Sequence, residues 1–540
     1  MKRFSNFLCK LLVLCLLLTL TQAIGYGSIA GAAEEKKHVP LLRIGTLAKQ
    51  EGFSIATSVG AFGRMNYNSF TRSNMLKVDE KGELHPDFFQ SWELSDDGLS
   101  LKVTFPKDAK WHDGTTVTRE DIEFSFDFFV NVLKRKNYKS LEIIDDTHGI
   151  IHFEQPASLF TLHSMTITAP IINKRVFEGQ DFATFQSDET TMGCGPFKFV
   201  SYDADAQISY YEAFEEYFGE KTTIDKVQIR TFGGQEAMVM ALANDEIDAI
   251  YDYSNPIDPV LMSLLEGNDA IDSGKAINNS TYFYNFFSTK APMDDLAFRK
   301  AAVYALDYKL LGNIVNGELA QPASLGIISP PNRGFDDTLP SLEQDVSLAK
   351  DILSQAGYYD ADGDGFVEDK EGKPFDLRIT VQAGTRPEMY SRIAEVMMED
   401  WAAVGIKSHF DTDAFSNRDI WSQRVSTPDY DVYVGVVSGT TTAFNTAFYY
   451  MLESSRLKAG VHPGKEMNEL FQNMLNAKTE EEYAIYCKQL QQANAKDFAG
   501  AALCWDTAFF PYRTDKINGW IYYPSWGVIN GRTWFSLYTK

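Results

Sequence analysis

The sequence predicts an α/β protein with more than one domain, and three observations carry this prediction. Segments with the alternating pattern of strands and segments with the 3.6-residue period of helices follow each other along the chain. The 540 residues are too many for one hydrophobic core, so two or three domains are expected. The sequence has no internal repeat, low-complexity tract or evident flexible linker, which indicates domains interleaved in sequence.

The first half of the chain is predicted to alternate short strands with a few helices. The segments SDDG and WHDGT indicate turns between strand-like segments. A helix is expected from Thr118 onward, because Thr118 followed by Asp121 forms a capping pattern. The other predicted units are PLLRIGTLA, HGIIHFE, ITAPII, GCGPFKFVSYDADAQISYYEA and TTIDKVQIRTF as strands, and GQEAMVMALANDEIDAIYD as helix, turn and strand.

The second half is predicted to place longer helices between strands. The helical segments are DDLAFRKAAVYALDYKLLGNIV, LEQDVSLAKDILSQAG, MYSRIAEVMMEDWAAVG and EEEYAIYCKQLQQANAKDF. Gly357 is a good helix stop for the second of these. The extended segments are PFDLRITVQ, IKSHFDT, TPDYDVYVGVVS and AALCWDTAFFPYR.

The N-terminus has the pattern of a secretory signal peptide over residues 1–32. Lys2, Arg3 and Lys10 precede or interrupt the apolar run LLVLCLLLTL, and the AGA ending at residue 32 fits a small-residue cleavage site. A retained membrane anchor is the alternative. Cys15 lies inside the apolar run after a leucine, which does not fit lipoprotein attachment. We therefore expect a soluble periplasmic protein.

The charge of the chain excludes several partners. The formal net charge is −24, and loss of the three positive charges of the signal segment takes it to about −27. Such an acidic protein should avoid nucleic acid and anionic membrane surfaces.

An acidic loop, YYDADGDGFVEDKEGK, has the spacing of a calcium-binding loop. Acids stand at its first, third and fifth positions, Gly365 stands at the sixth, and the pattern closes as D-x-D-x-D-G-x5-E. The predicted calcium ligands are Asp360, Asp362, Asp364, the Phe366 carbonyl, Glu368 (directly or through water) and Glu371.

The context of this loop does not predict a calcium sensor. A helix precedes the loop, but KPFDLRITV after it alternates like a strand, so the second helix of an EF-hand is missing. We expect a structural calcium ion that joins a helix to a strand; the alternative is a solvated acidic turn.

Three cysteines follow the signal segment, namely Cys194, Cys487 and Cys504. An oxidising location permits a disulfide, for which Cys487 and Cys504 are the local pair. Three buried free thiols are the alternative, and the spacing does not resemble a zinc site.

Five ordered blocks carry a resemblance to a known family. The longest, PDFFQSWELSDDGLSLKVTFPKDAKWHDGTTVTREDIEFS, resembles the signature segment of family 5 extracellular solute-binding proteins, the peptide- and nickel-type receptors of ABC importers. In GCGPFKFVSYD, Cys194 replaces the family's usual threonine. The remaining blocks that agree in order and spacing are MALANDEIDAIYD, KAPMDDLAFRKAAVYALDYKLL, and AKDILSQAGYYDADGDG with AEVMMEDWAAVGIK.

The resemblance implies a type II-like periplasmic binding protein, with two lobes built from three interleaved domains around a hinge. Residues 33–66, 188–280 and 510–540 would form domain I, and residues 67–187 would form domain II, both in the first lobe. Residues 281–509 would form domain III, the second lobe.

The same resemblance implies a function in transport. The protein would be a monomer that captures a peptide or other small ligand by hinge closure, without enzymatic chemistry or an organic cofactor. It would then deliver the ligand to an ABC permease in the inner membrane, which works with its ATPase. The alternatives are a receptor for a nickel chelate or another polar solute, a ligand-sensing signalling receptor, and a secreted hydrolase. The sequence contains no G-x-S-x-G, H-E-x-x-H or P-loop motif for the last of these.

One loop departs from the peptide-binding pattern. Peptide-binding relatives hold the ligand's α-ammonium with an acidic residue after the strand that here is YDVYVGVVSGTTTAFN. No carboxylate stands between Asp431 and Glu453, and the loop offers hydroxyls such as those of Ser438 and Thr440 instead. This departure argues against recognition of a free peptide N-terminus in the manner of these relatives and favours a polar uncharged ligand, or a blocked or unusual peptide.

Arg386 is the first candidate for an anionic group of the ligand. It lies in QAGTRPEM between a strand end and a helix start, and its guanidinium could clamp a carboxylate through two hydrogen bonds. The alternative is a solvated or inter-loop arginine. Cys194 lies in a tight turn between two glycines, which either approaches the ligand or is only structural. Weaker cleft candidates, each of which could equally fill the core or lie at the surface, are Tyr282, Trp421, Arg424, Trp505 and Phe509.

Overall fold

The structure, a computed structural model, describes most of the chain. The described residues are 37–48, 70–166, 168–182, 184–251, 257–278, 280–382, 386–427, 429–437, 465–523 and 526–540. The predicted signal peptide and the loop with Ser438 and Thr440 lie outside them. Within the described ranges, the search for a helix of the length and apolarity of a membrane span finds none.

The strands of the described residues are short. In chain order they are β1 Leu42–Thr46, β2 Leu76–Val78, β3 Leu84–Pro86, β4 Ser91–Leu94, β5 Ser100–Thr104, β6 Tyr138–Ile143, β7 His148–Phe153, β8 Phe197–Asp203, β9 Ile208–Ala213, β10 Lys226–Thr231, β11 Ala249–Ile250, β12 Ile271–Asp272, β13 Ala276–Ile277, β14 Thr281–Phe286, β15 Leu377–Val381, β16 Ser408–Phe410, β17 Val432–Val437, β18 Gly500–Cys504, β19 Thr507–Ala508, β20 Tyr512–Arg513, β21 Ile517–Asn518 and β22 Tyr538–Thr539.

The α-helices lie mainly in the second half of the chain. In chain order they are α1 Arg119–Asp127, α2 Leu159–His163, α3 Lys174–Phe177, α4 Gln235–Ala243, α5 Leu296–Tyr304, α6 Tyr308–Asn316, α7 Val346–Gln355, α8 Pro387–Ala402, α9 Thr412–Ser416, α10 Arg418–Ser426, α11 Lys465–Leu475, α12 Glu480–Asp497 and α13 Thr533–Ser536.

Three sheets organise these elements. The largest has seven strands in the order β12-β20-β11-β1-β10-β9-β8, with β1 parallel to both of its neighbours. A second sheet, β4-β5-β7-β6, is antiparallel. The third has the order β16-β15-β17-β14-β18. Every residue of its strand β14 is buried, as expected for a strand covered on both faces. The predicted domain boundaries remain a prediction.

The start of helix α1 is where the sequence predicts it. Thr118 accepts a hydrogen bond from the backbone of Asp121, and the Asp121 carboxylate accepts one of 2.9 Å from the backbone of Thr118. This capping box is the one predicted from the sequence. The indole of Trp111 also donates to Asp121 at 3.2 Å, so the cap is tied to the core of the four-stranded sheet.

Several elements differ from the sequence prediction. The segment ITAPII forms no strand where it is described, because Pro170 lacks an N–H and makes only an isolated bridge to Asn74. The long helix predicted around residue 305 is split into α5 and α6, since the carboxylate of Asp307 caps α6 by accepting from Leu310 at 2.9 Å. Helix α11 was not predicted, although Met467, Phe471 and Met474 form a buried helical stripe.

The chain passes twice between the seven-stranded and five-stranded sheets, and the two crossings pair with each other. Strand β13 of the first crossing is antiparallel to β19 of the second, with Ala276 opposite Ala508. Next to this ladder, the backbone amide of Asn278 donates to the carbonyl of Asp506 at 2.9 Å. The paired crossings therefore form a short two-stranded link between two sheet-based units.

The unit of the four-stranded sheet also contacts the unit of the five-stranded sheet. The amide of Leu159 donates to the carbonyl of Ala477 at 2.8 Å. The guanidinium of Arg333 donates to the carbonyl of Lys81, in the β2–β3 turn, at 2.8 Å. Neither contact involves a residue of the paired crossings, so the units are also joined outside that ladder.

Candidate functional site

The candidate site lies beside the paired crossings. Polar side chains from both sheet units meet there, and several of their buried polar atoms lack hydrogen-bond partners among the described residues. We call this group the crossing cluster; its members are Asn278, Tyr282, Arg386, Tyr390, Asp506 and Tyr522.

Arg386 enters the cluster from the start of helix α8. Its backbone is left-handed, with φ of 59°, and Pro387 follows as the first residue of the helix. The guanidinium donates to the hydroxyl of Tyr282 at 3.3 Å and to the carbonyl of Val315, in the last turn of α6, at 2.8 Å. A cation is favoured at a helix C-terminus. The structure thus brings Arg386 together with Tyr282, two residues selected from the sequence.

Asp506 is the buried carboxylate of the cluster. It lies between β18 and β19 with a side chain that is 4% exposed. The side-chain amide of Asn278 donates to one carboxylate oxygen at 3.3 Å, while the other oxygen, Oδ1, has no partner among the described residues. Burial raises the pKa of Asp506 to about 6, although the hydrogen bond from Asn278 lowers it.

Three tyrosines interact electrostatically with this carboxylate. Tyr282 and Tyr390 come from the five-stranded unit, whereas Tyr522 packs with the core of the seven-stranded sheet. Burial raises the pKa of each hydroxyl, and the charge of Asp506 adds to the effect in all three, which places them within electrostatic reach of it. The hydroxyls of Tyr390 and Tyr522 have no hydrogen-bond partner in the described part of the chain. The cluster can therefore offer donors and acceptors to a bound molecule.

Two aromatic candidates from the sequence lie in cores. Trp505 is 3% exposed and packs edge-on against Phe335, with ring centroids 6.3 Å apart. Phe509 is 6% exposed in the apolar cluster that includes Met238 and Leu242. Their burial by apolar neighbours favours the core alternative for both.

The two candidates on helix α10 are held by neighbours of their own unit. Trp421 is partly buried against the apolar cluster of α11 and α12. Arg424 forms ion pairs with Asp411, with its Nε 2.9 Å from a carboxylate oxygen, and with Asp429. Neither residue belongs to the crossing cluster.

Cys194 does not face a cleft. Its side chain is fully buried in the core of the four-stranded sheet unit. A Cβ on Gly193 would lie 1.8 Å from the carbonyl oxygen of Thr71, and one on Gly195 would lie 2.6 Å from the amide nitrogen of Arg72. The two glycines therefore serve close packing of backbone on backbone, so the structural alternative for this turn holds.

The proposed disulfide between Cys487 and Cys504 is wrong. Cys194, Cys487 and Cys504 are all free and buried in the described structure. Cys487 lies on helix α12 in one apolar cluster, and Cys504 ends strand β18 in another. Burial raises the pKa of the Cys487 and Cys194 thiols to about 12.

The acidic loop joins helix α7 to strand β15, as predicted. Carboxylate oxygens of Asp360, Asp362, Asp364 and Glu368 lie within 4.8 Å of one another. The Asp360 carboxylate accepts from Gly363 at 2.7 Å and from Gly365 at 3.0 Å. This geometry groups four of the predicted calcium ligands.

The other two predicted ligands, Phe366 and Glu371, do not belong to this group of four carboxylates. Phe366 lies within the loop, where its amide donates to the Asp364 carboxylate at 2.9 Å. Glu371 is not part of the group of four, because it lies in a separate turn in which its amide donates to Asp369 at 2.9 Å. Oxygen-rich groups of this kind suit Ca²⁺.

Asp506, Tyr390 and Tyr522 were not selected from the sequence. A signal for Asp506 was present, because it is the one charged residue in AALCWDTAFF, an otherwise apolar and weakly polar run. An isolated carboxylate in a buried segment must be paired, protonated or functional. No comparable local signal marks the two tyrosines, since most tyrosines in such a chain fill cores.

Comparison with known families gives one match over most of the chain. The family model described as "Bacterial extracellular solute-binding proteins, family 5 Middle" matches residues 83–459. The chain is 24% identical over 488 residues to the oligopeptide-binding protein AppA of Bacillus subtilis, which covers 86% of each chain. It is 25% identical over 387 residues to the dipeptide-binding protein of Escherichia coli, with coverage of 66% of this chain and 69% of the relative.

Solved structures share the fold. AppA from Bacillus subtilis, in complex with a nonapeptide, superposes with a TM-score of 0.72 at 19% identity, covering 94% of this chain and 100% of that one. NikZ from Campylobacter jejuni, in complex with Ni(L-His), superposes with a TM-score of 0.67 at 20% identity, covering 89% and 95%. The two-lobed, type II-like fold expected from the sequence is confirmed by these structures.

Proposed function

The chain belongs to family 5 of the bacterial extracellular solute-binding proteins, and from this premise we propose that it captures a peptide-like solute for an ABC importer. The ligand would be bound between the lobes and delivered to a membrane permease that works with an ATPase. The protein would act as a monomeric receptor and not as an enzyme.

The crossing cluster is the observation that supports this proposal. Arg386 and Tyr390 belong to one sheet unit and Tyr522 to the other, so a ligand among them touches both sides of the paired crossings. A ligand that contacts both lobes only in the closed form shifts the population toward closure.

The class of ligand follows from the relatives and from Arg386. The named relatives include an oligopeptide-binding and a dipeptide-binding protein. A guanidinium at the edge of the cluster suits the carboxylate of a peptide. The second candidate is a metal chelate, favoured by the shared fold with a Ni(L-His) complex and by the same guanidinium, which could hold a chelator's carboxylate.

The place of action proposed is the periplasm. The signal pattern of residues 1–32 would direct export and be removed afterwards. A signalling receptor with the same fold is the alternative within this setting, and neighbouring genes for a permease and an ATPase would favour transport.

A structural calcium ion is proposed for the acidic loop. Asp360, Asp362, Asp364 and Glu368 would supply carboxylate oxygens, and Phe366 its carbonyl. The ion would fasten α7 to β15, with no role in capturing the solute.

Native mass spectrometry of the purified protein tests the proposed function. We expect a population carrying copurified small peptides that dissociate on partial unfolding. Copurified metal chelates would favour the second candidate. Turnover of labelled peptides by the purified protein would contradict the receptor function and support a hydrolase.

A further inference from the structure

Asp506 is a buried carboxylate, and no described cation lies at ion-pair distance from it. The nearby cation, Arg386, donates its hydrogen bonds to Tyr282 and Val315, and among the described residues the Oδ1 atom of Asp506 has no partner. Leaving one oxygen of a buried carboxylate unpaired is costly, so such a group calls for an explanation.

The surroundings of the free oxygen suit a cationic amine. An ammonium group carries three N–H donors and no acceptor. Asp506 Oδ1 and the hydroxyl oxygens of Tyr390 and Tyr522, all without partners among the described residues, are acceptors that can receive them. A metal ion is disfavoured here, because one carboxylate and phenol hydroxyls are a poor oxygen set for Ca²⁺ or Mg²⁺.

We propose that Asp506 receives a cationic amino group of the solute while Arg386 receives its carboxylate, so that the crossing cluster selects amine-bearing zwitterions such as peptides with a free N-terminus. This inference rests on the proposed function. It moves amine recognition from the hydroxyl-rich loop, where the sequence has no carboxylate, to the second crossing.

The position of Asp506 couples recognition to closure. Its backbone carbonyl accepts from Asn278 of the other crossing, and the adjacent Thr507 donates from its amide to the side chain of Asn316 at 3.0 Å. The carboxylate is thereby fixed to the link between the units, so an amine bound there contacts the element about which the lobes move.

The test uses a tryptic digest of casein, mixed in equal amounts with the same digest in which all amines are acetylated. Wild-type protein, Asp506→Asn and a control, Asp336→Asn, are each incubated with the mixture, desalted and analysed by native mass spectrometry. Asp336 is a buried carboxylate of the same unit, but its oxygens accept hydrogen bonds from Thr338 and Gln492.

We expect the wild type and Asp336→Asn to retain free-amine peptides at least about tenfold over acetylated ones, and Asp506→Asn to lose the preference. The melting temperature of each variant establishes that it is folded. If Asp506→Asn retains peptides with the same preference as the wild type, or if the wild type shows no preference, the inference is overturned. The proposed peptide-binding function is not affected by either result. Retention of no peptide by the wild type overturns the peptide-binding function, and the inference falls with it.

Discussion

Asn278 holds Asp506 by two hydrogen bonds, one of 2.9 Å from its amide to the Asp506 carbonyl and one of 3.3 Å from its side chain to the carboxylate. The two residues lie on different crossings, so this pair joins the two chain passages between the sheet units. The carboxylate proposed to bind the amine is therefore part of the link itself.

Asp506 should make stability depend on pH. Burial raises its pKa to about 6 from an ordinary value of 3.8, so the folded protein keeps a proton that the unfolded chain releases between these values. The resulting stabilisation of the folded state is fully present below pH 3.8 and is lost as the pH rises through about 6. A pKa difference of this size corresponds to about 3 kcal/mol.

Asp506→Asn should therefore melt at a higher temperature than the wild type at pH 7 and at a similar temperature at pH 4. Thermal unfolding at both pH values checks this. In the control Asp336→Asn, the melting temperature at pH 7 should instead fall below that of the wild type. Burial raises the pKa of the Asp336 carboxyl, but hydrogen bonds from Thr338 and Gln492 lower it by more, so the pKa lies below its ordinary value. A lower melting temperature for Asp506→Asn at pH 7 would contradict the prediction.

Arg386→Ala should weaken binding of the copurified solute by about tenfold or more, because a charge-assisted hydrogen bond to the ligand is lost. Isothermal titration calorimetry gives the change in Kd. Arg392→Ala is a matched control on the same helix, since Arg392 is exposed and pairs with Glu395. Unchanged affinity in Arg386→Ala would remove Arg386 from the binding site.

Calcium should raise the melting temperature of chelator-treated protein by several degrees and change ligand affinity little. Asp362→Asn should abolish the rise. Glu371→Gln should preserve it, because Glu371 lies outside the group of four carboxylates. Differential scanning calorimetry with and without calcium measures the effect, and no response in the wild type would contradict the calcium site.

The three buried cysteines should react as free thiols. In denaturant without reductant, a thiol reagent should titrate three groups in a chain that starts at residue 33, because all three are unpaired in the structure. In the native protein the reaction should be slow, since burial raises the thiol pKa and blocks access. If only one thiol reacted in denaturant, the other two cysteines would be joined in a disulfide, which would contradict this prediction.

Arg333→Ala should loosen the second contact between units. Loss of its hydrogen bond to the Lys81 carbonyl should weaken ligand binding by roughly fivefold and increase the radius of gyration of the ligand-bound form in small-angle scattering. Arg378→Ala is the control, since Arg378 pairs with Asp429 inside one unit. Equal scattering curves for Arg333→Ala and the wild type would exclude this contact from closure.

The sequence predicted local structure well wherever the signal was local. The cap of α1 needs only Thr118 and Asp121, three positions apart, and the acidic loop between α7 and β15 needs one short segment. Arg386 was selected from the junction of a strand and a helix, which is also a local pattern.

The crossing cluster could not be assembled from the sequence. Asn278 and Asp506 are 228 positions apart, and their meeting depends on the register of β13 on β19. Trp421 and Arg424 were selected by residue type alone, and packing and the carboxylate of Asp411 place them elsewhere. Long-range pairing decides the site, and residue type and spacing do not encode it.

The seven-stranded sheet has an order that bears on how the chain folds. Strand β20, close to the C-terminus, is inserted between β11 and β12, and Arg513 donates to the carbonyl of Leu242 across 271 positions. Until β20 arrives, β12 has no strand partner among the described residues, so this sheet is completed late in synthesis. A chain that stops before Tyr512 should therefore leave β12 without this partner and remain sensitive to proteases.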